Sequence, residues 1–279
     1  MSSSKLRDLQ LVELRLLDEF NFICEKHELR HYMIGGTLLG AVRHQGFIPW
    51  DDDVDMCMPR EDYEKFLEVV EGELPEGMYF SSIYNNVAHR SGFARLCTSE
   101  MRVLNHAISN ERIDDAWIDV FPLDGFPSNP ILGAPHKLRL FFWRAMSRVA
   151  QFEDAVDVTR KRGFFESLLV RCAALPVFRC FSDYNRYFKN LDHALKAYGY
   201  DESKIAINYD GGIGFSEKFP RACYGEGRLY LFEGRQVWGP LDPDPVLQAI
   251  YGPGYMTPPP ESERNWHNTE VLEESESME

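Results

Sequence analysis

The feature that most constrains this chain is an acidic run set between two apolar ones. In Phe47-Ile48-Pro49-Trp50-Asp51-Asp52-Asp53-Val54-Asp55-Met56-Cys57-Met58, four aspartates fall within five positions. Such a run is ordinarily a solvated loop. This one ends in a polar/apolar alternation, and successive side chains of an extended strand point to opposite faces. Asp51, Asp53 and Asp55 are therefore expected on one face, with Val54 and Met56 on the other and Asp52 displaced to their side. Three carboxylates on one face repel one another unless a cation stands between them. An all-oxygen set suits Mg²⁺ or Mn²⁺, and Mg²⁺ needs only one or two protein carboxylates when phosphate completes its shell. The stretch predicts a half-buried strand at a metal site.

The residues just upstream fit that reading. His31–Gly35 is a short strand, Gly35-Gly36 breaks it, and Thr37 can cap a helix running through Leu38, Leu39 and Val42. A strand, a glycine turn and a helix N-terminus make an anion cradle, because unpaired N–H groups and the helix dipole both favour negative charge. A tight turn alone would use the same glycines. The alternating aspartates some sixteen residues later favour the cradle. A second acid, Asp119, lies between Ile118 and Val120 in a strand Trp117–Phe121 that the Pro122-Leu123-Asp124-Gly125 turn is expected to end. Buried unpaired it would be costly. Either it faces water, or it joins the carboxylates of Asp53 and Asp55, which is the reading favoured here.

The 279 residues suffice for one substantial domain or two small ones sharing a core. A net charge of −14 excludes general nucleic-acid binding, which needs a basic footprint. That charge is uneven: between His136 and Lys189 there are eleven Lys/Arg against five Asp/Glu, so this segment is basic inside an acidic chain. The six cysteines show no CxxC and no zinc spacing, and read as reduced core thiols. No run is long enough to span a membrane and the first residues have no apolar leader core, so a cytoplasmic protein is expected.

Leu6–Leu29 has the apolar spacing of an amphipathic helix, and Arg60–Val70 that of a second. Short strands are expected at Met78–Ile83, Phe93–Cys97 and Met101–Leu104, and a hairpin around Glu233-Gly234-Arg235. From Pro135 to about Tyr198 the pattern is helical, interrupted at Gly163 and Pro176, with large apolar residues beside Arg144, Arg148, Arg171 and Arg179. That composition suits a helical subdomain over the sheet, and also helices lying on the cytoplasmic face of an anionic membrane. The expected organisation is a core over 1–134, a basic helical subdomain over 135–200, a return to the core over 201–269 and a disordered acidic tail over 270–279.

GGTLLGAVRHQGFIPWDDDVDMCMPREDYEKF, IDVFPLDG at Ile118–Gly125 and the Phe-Gly-Pro-Tyr-Gly-Tyr-Met-Pro-Pro-Arg-His pattern of the last third together resemble the LicD-type phosphocholine transferases, relatives of the fukutin-type ribitol-phosphate transferases. The resemblance implies an α/β (α+β) nucleotidyltransferase-like mixed sheet flanked by helices, here with a helical insertion. It also implies an enzyme that moves phosphocholine, or a similar alcohol phosphate, from a CDP-activated donor such as CDP-choline to a sugar hydroxyl. The acceptor class it implies is a cell-surface glycan such as teichoic acid or lipopolysaccharide, which can be lipid-linked. It makes Asp53 and Asp55 ligands of Mg²⁺ or Mn²⁺, with Asp51 as an additional ligand and Asp119 as the third acid or the proton acceptor. Gly35, Gly36 and Thr37 become the phosphate-side turn. Arg43 and Arg60 either neutralise phosphate or pair with Asp52 or Asp62, and His267 beside Arg264 is either catalytic or structural. Trp117, Trp238, Trp266 and Tyr255 are candidates for an aromatic cage around a quaternary ammonium. The fukutin-type zinc cysteines have no equivalent here. Two alternatives stand beside this reading: a nucleotidyltransferase that makes the CDP-activated compound, and a non-catalytic nucleotide-binding protein.

Overall fold

The computed structural model describes residues 3–105, 112–151, 183–264 and 269–272. Helix α1 (Ser3–Lys26) leads through β1 (Tyr32–Met33), α2 (Gly35–His44) and β2 (Asp55–Pro59) into α3 (Arg60–Glu73). Then come β3 (Met78–Ser81), β4 (Ala94–Asn105) and β5 (Arg112–Phe126), followed by α4 (Pro130–Ala150) and α5 (Tyr184–Leu195). Strands β6 (Ile205–Ile207) and β7 (Lys218–Pro220), hairpin β8–β9 (Arg228–Phe232, Arg235–Gly239), α6 (Asp244–Tyr251) and β10 (Thr269–Val271) complete the described elements. The result is an α+β fold of the nucleotidyltransferase-like kind: a mixed sheet in the order β1-β2-β5-β4-β10, extended by β3, β6 and β7, with helices against it.

α1 forms because its apolar residues recur every three or four positions. Leu16, Leu17, Phe20 and Ile23 are wholly buried, each worth roughly 1.5–3 kcal/mol relative to exposure. They seat the helix on β4, β5 and α3. The parallel pairing of β2 with β5 sets Asp55 opposite Asp119 and Cys57 opposite Phe121. In β2 Met56, Cys57 and Met58 are all fully buried, so the strand has core on both faces rather than the half-buried pattern expected.

Other expectations change as well. β5 runs straight through Pro122–Gly125 instead of turning there. Its antiparallel ladder with β4 ends at Val120, and the one with β6 begins at Asp124. Pro122 falls between them, where its missing N–H interrupts neither. β4 is one strand with a bulge between Thr98 and Arg102, not two. Residues Thr269–Val271 pair with β4 at Val103–Asn105, so the expected disordered tail begins with a strand. The Glu233-Gly234 turn has positive φ at both residues (51° and 77°), as a two-residue hairpin with right-handed strand twist requires.

α4 and α5 pack on each other and have a small core of their own, in which Leu140, Leu191 and Leu195 meet Phe126, Ile207 and Tyr209 from the sheet side. α4 starts at Pro130, earlier than expected, because the Asn129 side chain accepts the N–H of Ile131. Gly163, Pro176, Arg171 and Arg179 lie outside the described residues, as do Trp266, His267 and the chain after Leu272.

Candidate active site

The loop between α2 and β2 brings Asp51 and Asp53 to the mouth of the sheet, and β2 begins with Asp55. All three line one cavity of about 530 Å³, together with Gly35 and Gly36 at the start of α2. The volume is in the range that holds a nucleotide-sized ligand. Extended backbone thus does bring the alternate aspartates together, although only Asp55 belongs to a regular strand.

Gly35 and Gly36 do more than turn the chain. Gly35 has φ +59°, and a Cβ there would stand 2.7 Å from Asp55 Oδ2; at Gly36 a Cβ would collide with Asp51 Oδ2. Both positions need glycine so that the carboxylates can lie against the start of α2. Thr37 acts differently from the cap expected of it. It is buried within the first turn, and its Oγ1 accepts the N–H of Asp55 at 2.8 Å. The Ile34 N–H donates to the Asp55 carbonyl at 3.2 Å. Asp55 is therefore clamped at both backbone groups, one of them by the Thr37 hydroxyl.

Burial, then the charges of Asp53, Asp119 and Asp51, push the Asp55 carboxyl well above the usual carboxylate range. A divalent cation would relieve that repulsion, and the donor set is all oxygen, so the residues fit Mg²⁺ or Mn²⁺. Among the described residues no three His, Cys, Asp or Glu groups converge as a ready-made ion cage. A Mg²⁺ site that takes one or two carboxylates and leaves the rest to phosphate and water does not require one. Asp119 stands beside Asp55 in register, and its Oδ1 accepts from Arg95 Nε at 3.0 Å.

The two arginines separate. Arg43 lines the cavity, with Nη1 donating to the Tyr255 carbonyl at 2.7 Å. Arg60 does not line it. Its buried guanidinium grips Asp124 with Nε and Nη2 (2.7 and 2.8 Å) and Asp192 with Nη1 (2.7 Å). The phosphate role for Arg60 is therefore corrected to a structural one, with Asp124 and Asp192 as partners instead of Asp52 or Asp62. The cage expectation also changes. Trp117 is covered by Arg95 at 4.3 Å, Trp238 sits in β9, and of the three candidates among the described residues only Tyr255 lines the cavity; Trp50, Phe121 and Tyr251 join it there.

The far wall of the cavity holds residues that the sequence did not single out: Asn208, Gly211, Gly212, Ile213 and Glu217. Glu217 accepts from Asn208 Nδ2 at 2.7 Å and from the Ile213 N–H at 3.1 Å, which fixes the Asn208 amide with Oδ1 buried and unpartnered. Burial raises the Glu217 carboxyl from 4.5 to about 7. A group raised in the folded state stabilises fully below its unfolded pKa and loses that contribution as pH climbs through the folded value. Glu217→Gln is therefore expected to flatten a loss on the order of 3 kcal/mol between pH 4.5 and pH 7. Urea unfolding of both proteins on either side of that window measures it. Behind the acidic loop Glu13 of α1 is also buried, its carboxyl raised by burial and then by Asp53, Asp52, Asp51 and Asp119, with Oε2 unpartnered.

Residues 28–125 match the family described as LicD/FKTN/FKRP, nucleotidyltransferase domain. That span holds every acid and glycine of the near wall. The chain is 35% identical over 131 residues to the lipopolysaccharide cholinephosphotransferase LicD of Haemophilus influenzae, covering 47% of this chain and 48% of that protein. An uncharacterized protein of Rickettsia typhi is 34% identical over 76 residues, a quarter of each chain (25% and 25%). One of Rickettsia prowazekii is 44% identical over 48 residues, 17% of this chain and 18% of the other. The aligned part thus spans about half the length of the Haemophilus relative and less of the others. The glycines that make room for carboxylates and the parallel strand pairing that sets Asp55 beside Asp119 all lie within residues 28–125, the part of this chain that matches the LicD/FKTN/FKRP nucleotidyltransferase domain.

Proposed function

We propose that the protein transfers phosphocholine from a CDP-activated donor to a sugar hydroxyl of a cell-surface glycan, releasing CMP. The observation that carries this reading is the single cavity in which Asp51, Asp53 and Asp55 meet the glycine start of α2. The likeness to the Haemophilus lipopolysaccharide cholinephosphotransferase supports the choice of head group and acceptor class. In the reaction the acceptor hydroxyl oxygen forms a bond to the choline-bearing phosphorus. The bond from that phosphorus to the oxygen of CMP breaks, and the hydroxyl proton passes to a base.

Asp53 and Asp55 would hold Mg²⁺ or Mn²⁺, with Asp51 beside them. When bound, the ion offsets charge on the donor's phosphate oxygens and on the departing nucleotide. The N-terminal turn of α2 directs N–H groups and the positive end of the helix dipole toward the same phosphates. Arg43 adds a guanidinium on that side, with Nη2 lacking an acceptor among the described residues. Asp119, next to Asp55, accepts the proton or completes the acidic wall. Trp50, Phe121, Tyr251 and Tyr255 give the cavity the aromatic faces that suit a quaternary ammonium. His267 belongs to the same proposal as a candidate only through its place in the family pattern.

The test is incubation with CDP-choline, CDP-ribitol or CDP-glycerol, Mg²⁺ and a glycan acceptor, followed by mass spectrometry. Acceptor-dependent CMP release with addition of phosphocholine to the glycan is expected. Pyrophosphate release from CTP and phosphocholine would instead identify an enzyme that makes the donor. CDP-choline binding without turnover on any acceptor would identify a binding protein.

A further inference from the structure

No helix among the described residues is long and apolar enough to cross a membrane, yet α4 is apolar on both sides. Its inner side buries Gly133, His136, Leu140 and Ser147. At 3.6 residues per turn the opposite side carries Ile131, Leu138 and Phe142, with Phe141 at its margin. These side chains are 80%, 68%, 52% and 61% exposed. The outward face of a helix packed on a globular core is ordinarily polar. Four large apolar residues in one strip are a patch, not scatter.

The charges on the same helix are all of one sign. α4 contains Lys137, Arg139, Arg144 and Arg148 and no Asp or Glu, in a chain whose net charge is −14. Arg144 turns inward, donating to the carbonyls of Tyr209 and Gly211. Lys137 and Arg139 are exposed and fall on opposite flanks of the apolar strip.

We propose that the outer face of α4 seats the protein on an anionic bilayer leaflet, with Ile131, Leu138, Phe141 and Phe142 entering the headgroup–acyl boundary and Lys137 and Arg139 meeting lipid phosphates. An apolar strip flanked by cations is the pattern of a helix lying in that boundary. A second copy of the chain fits less well. A two-fold contact through this face would set two acid-free cationic helices against each other. The bilayer supplies hydrocarbon and anionic phosphate at once. Because Arg144 holds the Gly211 carbonyl at the edge of the cavity, docking α4 would also fix the cavity's height above the leaflet.

The inference does not depend on the proposed chemistry, since binding is measured without turnover. The full chain is sedimented with phosphatidylcholine vesicles, with and without phosphatidylglycerol. Binding to the anionic vesicles is expected, weakened but not abolished by salt. Leu138→Glu with Phe142→Glu should lower it at least about tenfold. Lys137→Glu with Arg139→Glu should remove the preference for phosphatidylglycerol, each cation being worth roughly fivefold. These side chains are largely exposed, with ring contacts from Phe142 to Trp143 and from Lys137 to Phe215, so thermal unfolding should shift little. Wild-type protein that ignores both vesicle types overturns the proposal, as does equal binding by the Leu138→Glu/Phe142→Glu variant. So does a wild-type dimer in solution that this variant converts to monomer.

Discussion

Asp55→Asn is expected to lower transfer by roughly a thousandfold or more while leaving the metal-free protein as stable as the wild type or more so. The two halves of that expectation have separate causes. Asp55 is forced against Asp53, Asp119 and Asp51 in a buried setting that pushes its carboxyl far up. An amide of the same shape removes the repulsion, and the clamps on the Asp55 backbone from Thr37 and Ile34 do not involve the side chain. The same amide cannot serve as an anionic ligand. CMP release reports the first effect; thermal unfolding in chelator and then in Mg²⁺ reports the second. The wild type should gain stability with Mg²⁺ and the variant should not. Full activity in the variant would remove Asp55 from the metal site.

Arg60→Ala is expected to cost about 3–5 kcal/mol, because it leaves Asp124 and Asp192 in the interior without their shared cation. Burial alone already raises the Asp124 carboxyl, against the pull of Arg60. Asp192 is also held by Lys196 at 2.8 Å and by the Tyr84 hydroxyl, so the damage would spread from α3 into β5 and α5. Arg60→Lys should recover only part of the loss, since an ammonium cannot grip two carboxylates in a planar fork. Urea unfolding measures both variants. Normal stability combined with a raised KM for the donor would return Arg60 to the phosphate site.

The near wall was legible because it is written locally. Glycine at a turn, alternation after it and acids at every second position are rules of neighbouring residues, and they brought Asp51, Asp53, Asp55, Gly35 and Gly36 to one cavity. Thr37 and Pro122 misled for the same reason. A threonine after a glycine turn reads as a cap and a proline after a strand reads as a stop; only the pairing partners of β2 and β5 show otherwise. Arg60 gave no sign of its partners, because Asp124 and Asp192 lie far along the chain. Asn208, Glu217 and Glu13 were silent for a related reason. In sequence Glu13 is one more polar position on an amphipathic helix, and its burial arises only when α1 meets the acidic loop.

The pairing of β5 with β6 has a further consequence. The chain leaves the sheet at Phe126 and re-enters it at Ile205 as that residue's direct partner. The two ends of the excursion are stapled side by side by the sheet itself. The helices α4 and α5 lie on a detour that opens and closes at one point, so its length and composition can drift without shifting the register that holds Asp119 against Asp55. Closing a longer detour costs entropy only as the logarithm of its length. In such a chain the chemistry and the surface on which it operates can change at different rates.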